Sequence, residues 1–361
     1  MTIAVAPETG SDGFVATGVA PAMVDTGEIA PGEWDAFVES HPDSVAYHQH
    51  AWRGVFERAF GHQGVYLGAR RNGALVGVLP LVDFKSRLFG RFGVSLPFVN
   101  YGGVLGADRD VEQALERAAL DTAAARGWRH VELRHFDQRF AQWPARRHKV
   151  TMWLPLLPDA DALWQSLDRK VRNLVRKAEK SGCVAEVGGI EVLPAFYQVF
   201  AHNMRDLGTP VYSRRFFEEV VGTFPASTRV FVVRVGTEPV AASITVGWRD
   251  RIEVPWASAL RAHNDKAPNM LLYWTMLKQA IAAGASVFDF GRSTPDESTY
   301  RFKAQWGAAP RPLVWEYLGI RGTVPDQGPG SARFGRAVRA WQRLPVPIAT
   351  LLGPVIVRNI P

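Results

Sequence analysis

The chain states one pattern twice, and that repetition constrains its fold more than any other feature. Val65–Val82, VYLGARRNGALVGVLPLV, and Val230–Val246, VFVVRVGTEPVAASITV, both alternate apolar residues about a Gly-containing turn, the pattern of a β-hairpin. An apolar stretch of similar grammar follows each, SLPFVN from Ser95 and EVPWAS from Glu253, read as strands with Pro97 and Pro255 in correspondence. Each half continues through a polar loop and an amphipathic helix ending at Gly127 or Gly284 to a closing strand, RHVELRH or SVFDFGR, in which Glu132 and Asp289 fall in register. This order predicts two copies of one α/β unit, a first domain over residues 23–150 and a second over 151–320. Helices are expected near 50–59 before the first hairpin and at about 161–181, 190–207 and 213–222 before the second, with residues 1–22 a flexible lead-in.

At 361 residues and 47% hydrophobic, the chain can bury the cores of two compact units. A formal charge of +7 points to an anionic partner: nucleic acid, a phosphorylated cofactor or an acidic membrane surface. Cys183 is the only cysteine, which excludes an intramolecular disulfide and thiolate-rich zinc clusters. His48 and His50 lack a supporting acidic or thiolate cluster and read as structural, so no metal is expected. The opening MTIAVAPETG lacks the basic start and apolar stretch of a secretory signal, and no run of about 20 apolar residues could span a bilayer. The expectation is a cytoplasmic protein, with peripheral membrane contact left open.

The stretches FGHQGVYLGAR, GVLPLVDFKSRLFG, SLPFVNYGGVLG, RKVRNLVRKAEKSG, NMRDLGTPVY, PNMLLYW and FDFGRSTPDESTYRFKAQWGAAP run in order across roughly residues 45–318. Together they resemble the FemAB-related proteins associated with PEP-CTERM and exosortase gene neighbourhoods, a branch of the tandem-GNAT peptidyltransferase superfamily. The resemblance implies an α/β (mixed α+β) chain of two tandem GNAT-like acyltransferase domains, each a central mixed sheet flanked by helices, with the fourth and fifth strands splayed to admit an acyl thioester or its equivalent. It implies transfer of an acyl or aminoacyl group from acyl-CoA or aminoacyl-tRNA to an amine or hydroxyl. The acceptor would be a saccharide, peptide or lipid-linked precursor in exopolysaccharide or envelope biosynthesis. A non-catalytic tandem-GNAT binding or scaffold protein of such a system is the alternative. An Arg/Gln-x-x-Gly-x-Gly/Ala loop, whose amides would hold a CoA pyrophosphate at a helix N-terminus, is not evident. HNDKAPNMLLYW stands in its place and offers Lys266, Asn269 and the helix-start amides to a cofactor; an ordinary first-turn proline at Pro268 and a local cap at Asn269 explain it equally.

Acyl transfer to an amine needs a base, donors for the developing oxyanion and a cradle for the donor's phosphates. Neither a Ser/His/Asp order nor a Gly-x-Ser-x-Gly elbow is evident, so direct transfer is expected. Asp289 lies between Phe288 and Phe290 on a strand and points away from both rings, either as a base raised by burial or as half of an ion pair. Glu253 opens the neighbouring strand in the GNAT order and is a second candidate base, or a partner of Arg249 or Arg251. Its first-copy counterpart is Ser95, so catalysis is expected in the second copy, with the first walling the acceptor. Tyr300, Lys303 and Trp306 fall near one helical face. Arg292 and Lys303 then read as a clamp for phosphate or carboxylate, Tyr300 as a catalytic hydrogen-bond donor and Trp306 as a wall; the plain alternative is core packing with Lys303 snorkelling. Phe-Lys-x-x-Trp-Gly resembles the family's Phe-Lys-x-x-Phe/Trp-Gly element. Further acceptor contacts are expected from Asn203, Arg205 and Asp206 at a helix end, from Asn100 and Tyr101 beside paired glycines, and from Trp256.

Arg169, Arg172, Arg176 and Lys180 form a stripe opposite Val171, Leu174, Val175 and Ala178, either a track for tRNA or a lipid-linked diphosphate or a solvated helix face. Residues 321–361 read as a Gly- and Pro-rich linker (321–332) and a basic amphipathic tail. In it Arg333, Arg336, Arg339 and Arg343 alternate with Phe334, Val338, Trp341 and Leu344 before the apolar PVPIATLLGPVIVRNIP. Residues 333–361 either contact an anionic membrane or dock on the protein itself.

Overall fold

Residues 23–25, 29–320 and 335–361 are described by the computed structural model; the expected lead-in (1–22), the linker (321–332) and Arg333 and Phe334 lie outside the described residues. The first half runs β1 (Met23–Asp25), α1 (Pro31–Ser40), a 3-10 turn (Ala46–His48), α2 (Trp52–Phe60), β2 (Gln63–Arg71), β3 (Ala74–Ser86), β4 (Gly90–Val94), β5 (Leu105–Gly106), α3 (Arg109–Arg126), β6 (Val131–His135) and β7 (Ala145–Pro155). The second runs α4 (Ala160–Ser166), α5 (Arg169–Lys180), β8 (Cys183–Gly188), α6 (Leu193–Leu207), α7 (Arg214–Thr223), β9 (Thr228–Val235), β10 (Glu238–Trp248), β11 (Arg251–Ala259), α8 (Pro268–Ala282), β12 (Val287–Ser293), α9 (Ser298–Ala304) and β13 (Ala309–Leu318). Two helices, α10 (Gly335–Trp341) and α11 (Val346–Val357), follow.

The repeat is present in three dimensions. In the first half the β2–β3 hairpin leads to β4, and β4 lies parallel to β6 across the α3 crossover. In the second, β9–β10 leads to β11, parallel to β12 across α8. Local chemistry fixes the crossover helices: the Asp108 carboxylate accepts the Val111 amide to start α3, Gly127 ends it at φ 66°, and Pro268 opens α8.

The last strand of each unit is exchanged with the other. β7 leaves β6 and pairs antiparallel with β12; β13 leaves β12 and pairs antiparallel with β6; and the two exchanged strands pair with each other. One sheet results, in the order β1-β2-β3-β4-β6-β13-β7-β12-β11-β10-β9-β8, with β5 on β3. The expected division between residues 150 and 151 therefore falls inside β7. On that strand Val150, Met152 and Leu154 join the apolar cluster beneath α5 and α8, while Thr151 and Trp153 take the opposite face.

Two sequence expectations change. Residues 95–100 are a loop, not a strand, because Leu96 (φ 55°) and Phe98 (φ 69°) turn the backbone out of the ladder after β4. The register counterpart of Glu253 is consequently Val94, which pairs with Glu132 as Glu253 pairs with Asp289. The helix expected at 161–181 is divided, since Leu167 is extended and the Asp168 carboxylate caps a new helix through the Lys170 amide.

The largest core cluster crosses between the halves: Trp52 meets Phe224 at 4.9 Å between ring centroids and Phe60 meets Phe216 at 5.0 Å. The tail docks on this body. Trp341, Ala349 and Val357 are buried in the same cluster, and the Arg205 guanidinium donates to the Leu344 carbonyl (2.7 Å). No helix among the described residues is long and apolar enough to cross a membrane.

Because Met152 is fully buried on an exchanged strand, Met152→Ala should cost about 2–5 kcal/mol and raise amide exchange in β6 and β12 together, within one urea transition. Faster exchange confined to β12 would show that the halves unfold separately.

Candidate active site

The site begins where β11 and β12 stop pairing. Arg251 lies opposite Val287, Ile252 opposite Phe288 and Glu253 opposite Asp289, the last pair of the ladder. Directly paired residues share a face, so the two carboxylates stand side by side while Phe288 and Phe290 face α8. On the other flank β7 sets Trp153 opposite Asp289, and β13 sets Arg311 opposite Thr151. The exchanged strands thus bring Thr151, Trp153 and Arg311 to the acidic row. Glu253 and Asp289 are 4% and 0% exposed.

Asp289 accepts hydrogen bonds from the Tyr101 hydroxyl (2.9 Å), the Trp153 indole N–H (2.8 Å), the Gly291 amide (2.8 Å) and the Thr151 hydroxyl. Gly291 is demanded here: its φ is 75°, and a Cβ would stand 2.4 Å from the Val254 carbonyl oxygen. Glu253 accepts from the Asn100 amide at 2.7 Å. The buried Tyr47 hydroxyl lies against Glu253 without completing a hydrogen bond. Left-handed turns at Leu96 and Phe98 carry Asn100 and Tyr101 across from the first half to these second-half carboxylates.

Burial, and then the charge of Asp289, push the Glu253 carboxyl up to about 8; the nearby polar groups of Tyr101, Asn100 and Tyr47 pull it partly back. Burial and the same carboxylates hold the Tyr47 and Tyr101 hydroxyls well above the usual tyrosine range, so both remain donors.

Two adjoining hollows of about 100 and 60 Å³ open beside the pair and share Pro42, Ser44, Val45, Tyr101 and Arg251. The smaller reaches Glu253; the larger is lined by Arg134, Arg139, Arg251 and Arg311. Arg251 and Arg311 pack on the Trp153 ring at 4.1 and 4.3 Å, and the buried Arg251 Nε has no hydrogen-bond partner among the described residues. Arg134, Arg139 and Arg311 are ion-paired with Glu132, Asp43 and Asp137, so among the described residues Arg251 is the cation of this lining without an ion pair. The equivalent acid of the first half is neutralised, since Glu132 is ion-paired with Arg134 at 2.8 Å, both side chains 2% exposed.

Of the residues singled out in the sequence, Glu253, Asp289, Asn100 and Tyr101 converge. The others lie elsewhere. The Lys303 ammonium donates to the carbonyls of Gly291 (2.8 Å) and Arg292 (2.9 Å), closing the end of β12, and burial lowers it to about 8. The Arg292 guanidinium lies over the Trp315 ring at 5.7 Å, while the Lys303 ammonium is taken up by the two carbonyls. Tyr300 and Trp306 pack in the cluster beneath α8, and Trp256 meets Phe216 and Phe217 at 5.3 and 5.4 Å. Asn203 donates to Ser258 (3.1 Å), and Arg205 holds Asp206 (2.7 Å) and the tail. Lys266 and Asn269 flank Ala267 (φ 55°) at the start of α8, where no side chain caps the helix. Arg169, Arg176 and Lys180 are exposed on α5, with Arg172 half-buried. His48 is held between the Gly103 carbonyl (3.0 Å) and the Val45 amide (3.0 Å). The sequence reading passed over Tyr47, Thr151, Trp153 and Arg311. Arg251 alone carried a local signal, standing two residues before Glu253 and so on its face.

Glu253 keeps in the native state a proton that the unfolded chain releases above its ordinary value of 4.5. Its contribution to stability is full below that value and is lost as pH rises through about 8. Glu253→Gln stays neutral, so urea unfolding between pH 5 and 8 should show the variant gaining on the native chain by up to about 1.4 kcal/mol per pH unit. A gap independent of pH would mean that Glu253 is ionised throughout.

A family model for the GNAT acetyltransferase domain matches residues 165–304. No curated protein matches the chain. Among solved structures, FemX is similar with a TM-score of 0.64 at 17% identity, over 83% of this chain and 97% of that chain. L-PGS from Bacillus licheniformis is similar with a TM-score of 0.53 at 11% identity, over 87% and 98%. A tandem GNAT protein from the clavulanic acid biosynthesis pathway is similar with a TM-score of 0.53 at 12% identity, over 81% and 95%. Residues 165–304 are thus similar to the GNAT acetyltransferase domain, within a mixed α/β fold similar to those of FemX and the tandem GNAT proteins.

Proposed function

We propose that the protein is a FemAB-like N-acyl- or aminoacyltransferase working by direct transfer, with its chemistry at the Glu253–Asp289 pair. The observation that carries this reading is a buried acid with a pKa near 8 at the parting of two strands, below an arginine-lined cleft. The acceptor's amine attacks the donor's carbonyl carbon; a C–N bond forms as the bond to the leaving oxygen or sulfur breaks. The ionised form of Glu253 takes the amine's proton and returns it to the leaving atom, a task suited to a group titrating near working pH. Asp289 orients Tyr101, Thr151 and Trp153.

Aminoacyl-tRNA is the favoured donor. On the α8 side of the parting strands, Tyr273 stacks on Phe290 at 5.3 Å and meets Phe302 at 5.0 Å, filling space that a thioester arm would need. The exposed cations of α5 offer a track for a nucleic-acid backbone. Arg251 and Arg311 suit a carboxylate or phosphate on the acceptor. An acceptor from exopolysaccharide or envelope biosynthesis rests on the motif resemblance alone.

Purified protein given charged tRNA or acyl-CoA together with sugar, peptide and lipid-linked envelope precursors should yield a mass increment only with an activated donor. Glu253→Gln should lower kcat by about 10²–10⁴-fold in a folded protein, and Arg251→Ala should raise KM for an anionic acceptor. Full turnover by Glu253→Gln would remove the proton role, transfer from acyl-CoA alone would overturn the choice of donor, and binding without transfer would favour the scaffold alternative.

A further inference from the structure

The C-terminal helix wears its large apolar residues on the outside. α11 turns Ala349, Gly353 and Val357 toward the body, and a Cβ on Gly353 would stand 2.5 Å from the Val211 carbonyl oxygen. On the other side Ile348, Leu351, Leu352 and Val355 fall at i, i+3, i+4 and i+7 and remain 44%, 75%, 43% and 63% exposed. Leu88, at the tip joining β3 to β4, is 59% exposed. That tip is tied to the end of the helix, because the Ser86 hydroxyl donates to the Asn359 carbonyl (2.7 Å) and the Arg87 amide to Asn359 Oδ1 (3.0 Å). These residues form one apolar ridge, and a monomeric soluble protein rarely leaves a ridge of this kind uncovered.

Its rim is cationic. Lys85, Arg87, Arg91 and Arg358 line a hollow with Val355, and among the described residues Arg91 is the one there held in an ion pair, with Asp83 at 2.5 Å. Residues 335–361 hold four arginines and no acidic residue. A second copy of the chain would set these rims against each other; an anionic bilayer complements them. At 12 residues the helix spans about 18 Å, too short to cross a bilayer and suited to lying in its interface.

We propose that α11 and the β3–β4 tip dock the protein on an anionic membrane surface, with Leu351, Val355 and Leu88 entering the acyl boundary and Arg87 and Arg358 meeting lipid phosphates. Nothing in this surface belongs to the carboxylate site, so docking and the proposed transfer stand or fall separately.

The test is sedimentation of the full chain with vesicles of phosphatidylcholine, with or without phosphatidylglycerol. Binding should require phosphatidylglycerol and weaken with salt, and Leu351→Glu/Val355→Glu should reduce it at least about tenfold. Both positions are exposed, so the variant should keep its Tm and its activity on a water-soluble acceptor. Arg87→Glu should remove part of the salt-sensitive binding. Failure of the native chain to bind phosphatidylglycerol vesicles, or equal binding by the double variant, would overturn the proposal. So would a native dimer in light scattering that the double variant converts to monomer.

Discussion

The exchange of β7 and β13 is the constraint on which the rest depends. A unit ending at β6 or β12 leaves a sheet edge of unpaired N–H and C=O groups, and each copy covers the other's edge with its own last strand. The same pairing determines the chemistry. Register along β7 delivers the Thr151 hydroxyl and the Trp153 indole to Asp289, and register along β13 delivers Arg311 to the cleft mouth. Fold closure and site assembly are one event, so neither copy alone holds the complete site.

How much of this was legible in the sequence follows from the range of the interactions. The hairpins, the crossover helices and the row position of Asp289 rest on contacts a few residues apart, and periodicity, Gly127, Gly284 and the Phe288–Phe290 alternation encode them directly. The exchange was invisible, because nothing in ARRHKVTMWLP distinguishes a strand that returns to its own sheet from one that leaves it. Residues whose role depends on that choice, Thr151, Trp153 and Arg311, were therefore missed. Lys303 was misplaced for a different reason. Helical spacing fixed its face, but not whether the ammonium would turn to a ligand or back onto the carbonyls of β12.

Duplication lets the two copies be compared as an internal control. Both put a carboxylate at the register position where parallel strands part, Glu132 beside Val94 and Asp289 beside Glu253. In the first copy Arg134 neutralises the acid and itself packs on Trp315 at 4.3 Å, a closed structural ion pair. The second sets a second acid beside the first and surrounds both with neutral donors. Neutral donors satisfy a carboxylate's lone pairs without cancelling its charge, so the charge remains available to shift a neighbour.

Stability does not explain that arrangement. Two acids buried side by side pay the desolvation penalty without the Coulombic return of an opposite charge, and apolar residues of similar volume would be cheaper. A chain that only needed to hold its lobes together could use the Glu132–Arg134 solution twice. In the second lobe Arg251 and Arg311 are instead held on the Trp153 ring at the cleft mouth, and the buried Lys303 ammonium is held by the carbonyls of Gly291 and Arg292 rather than by either carboxylate.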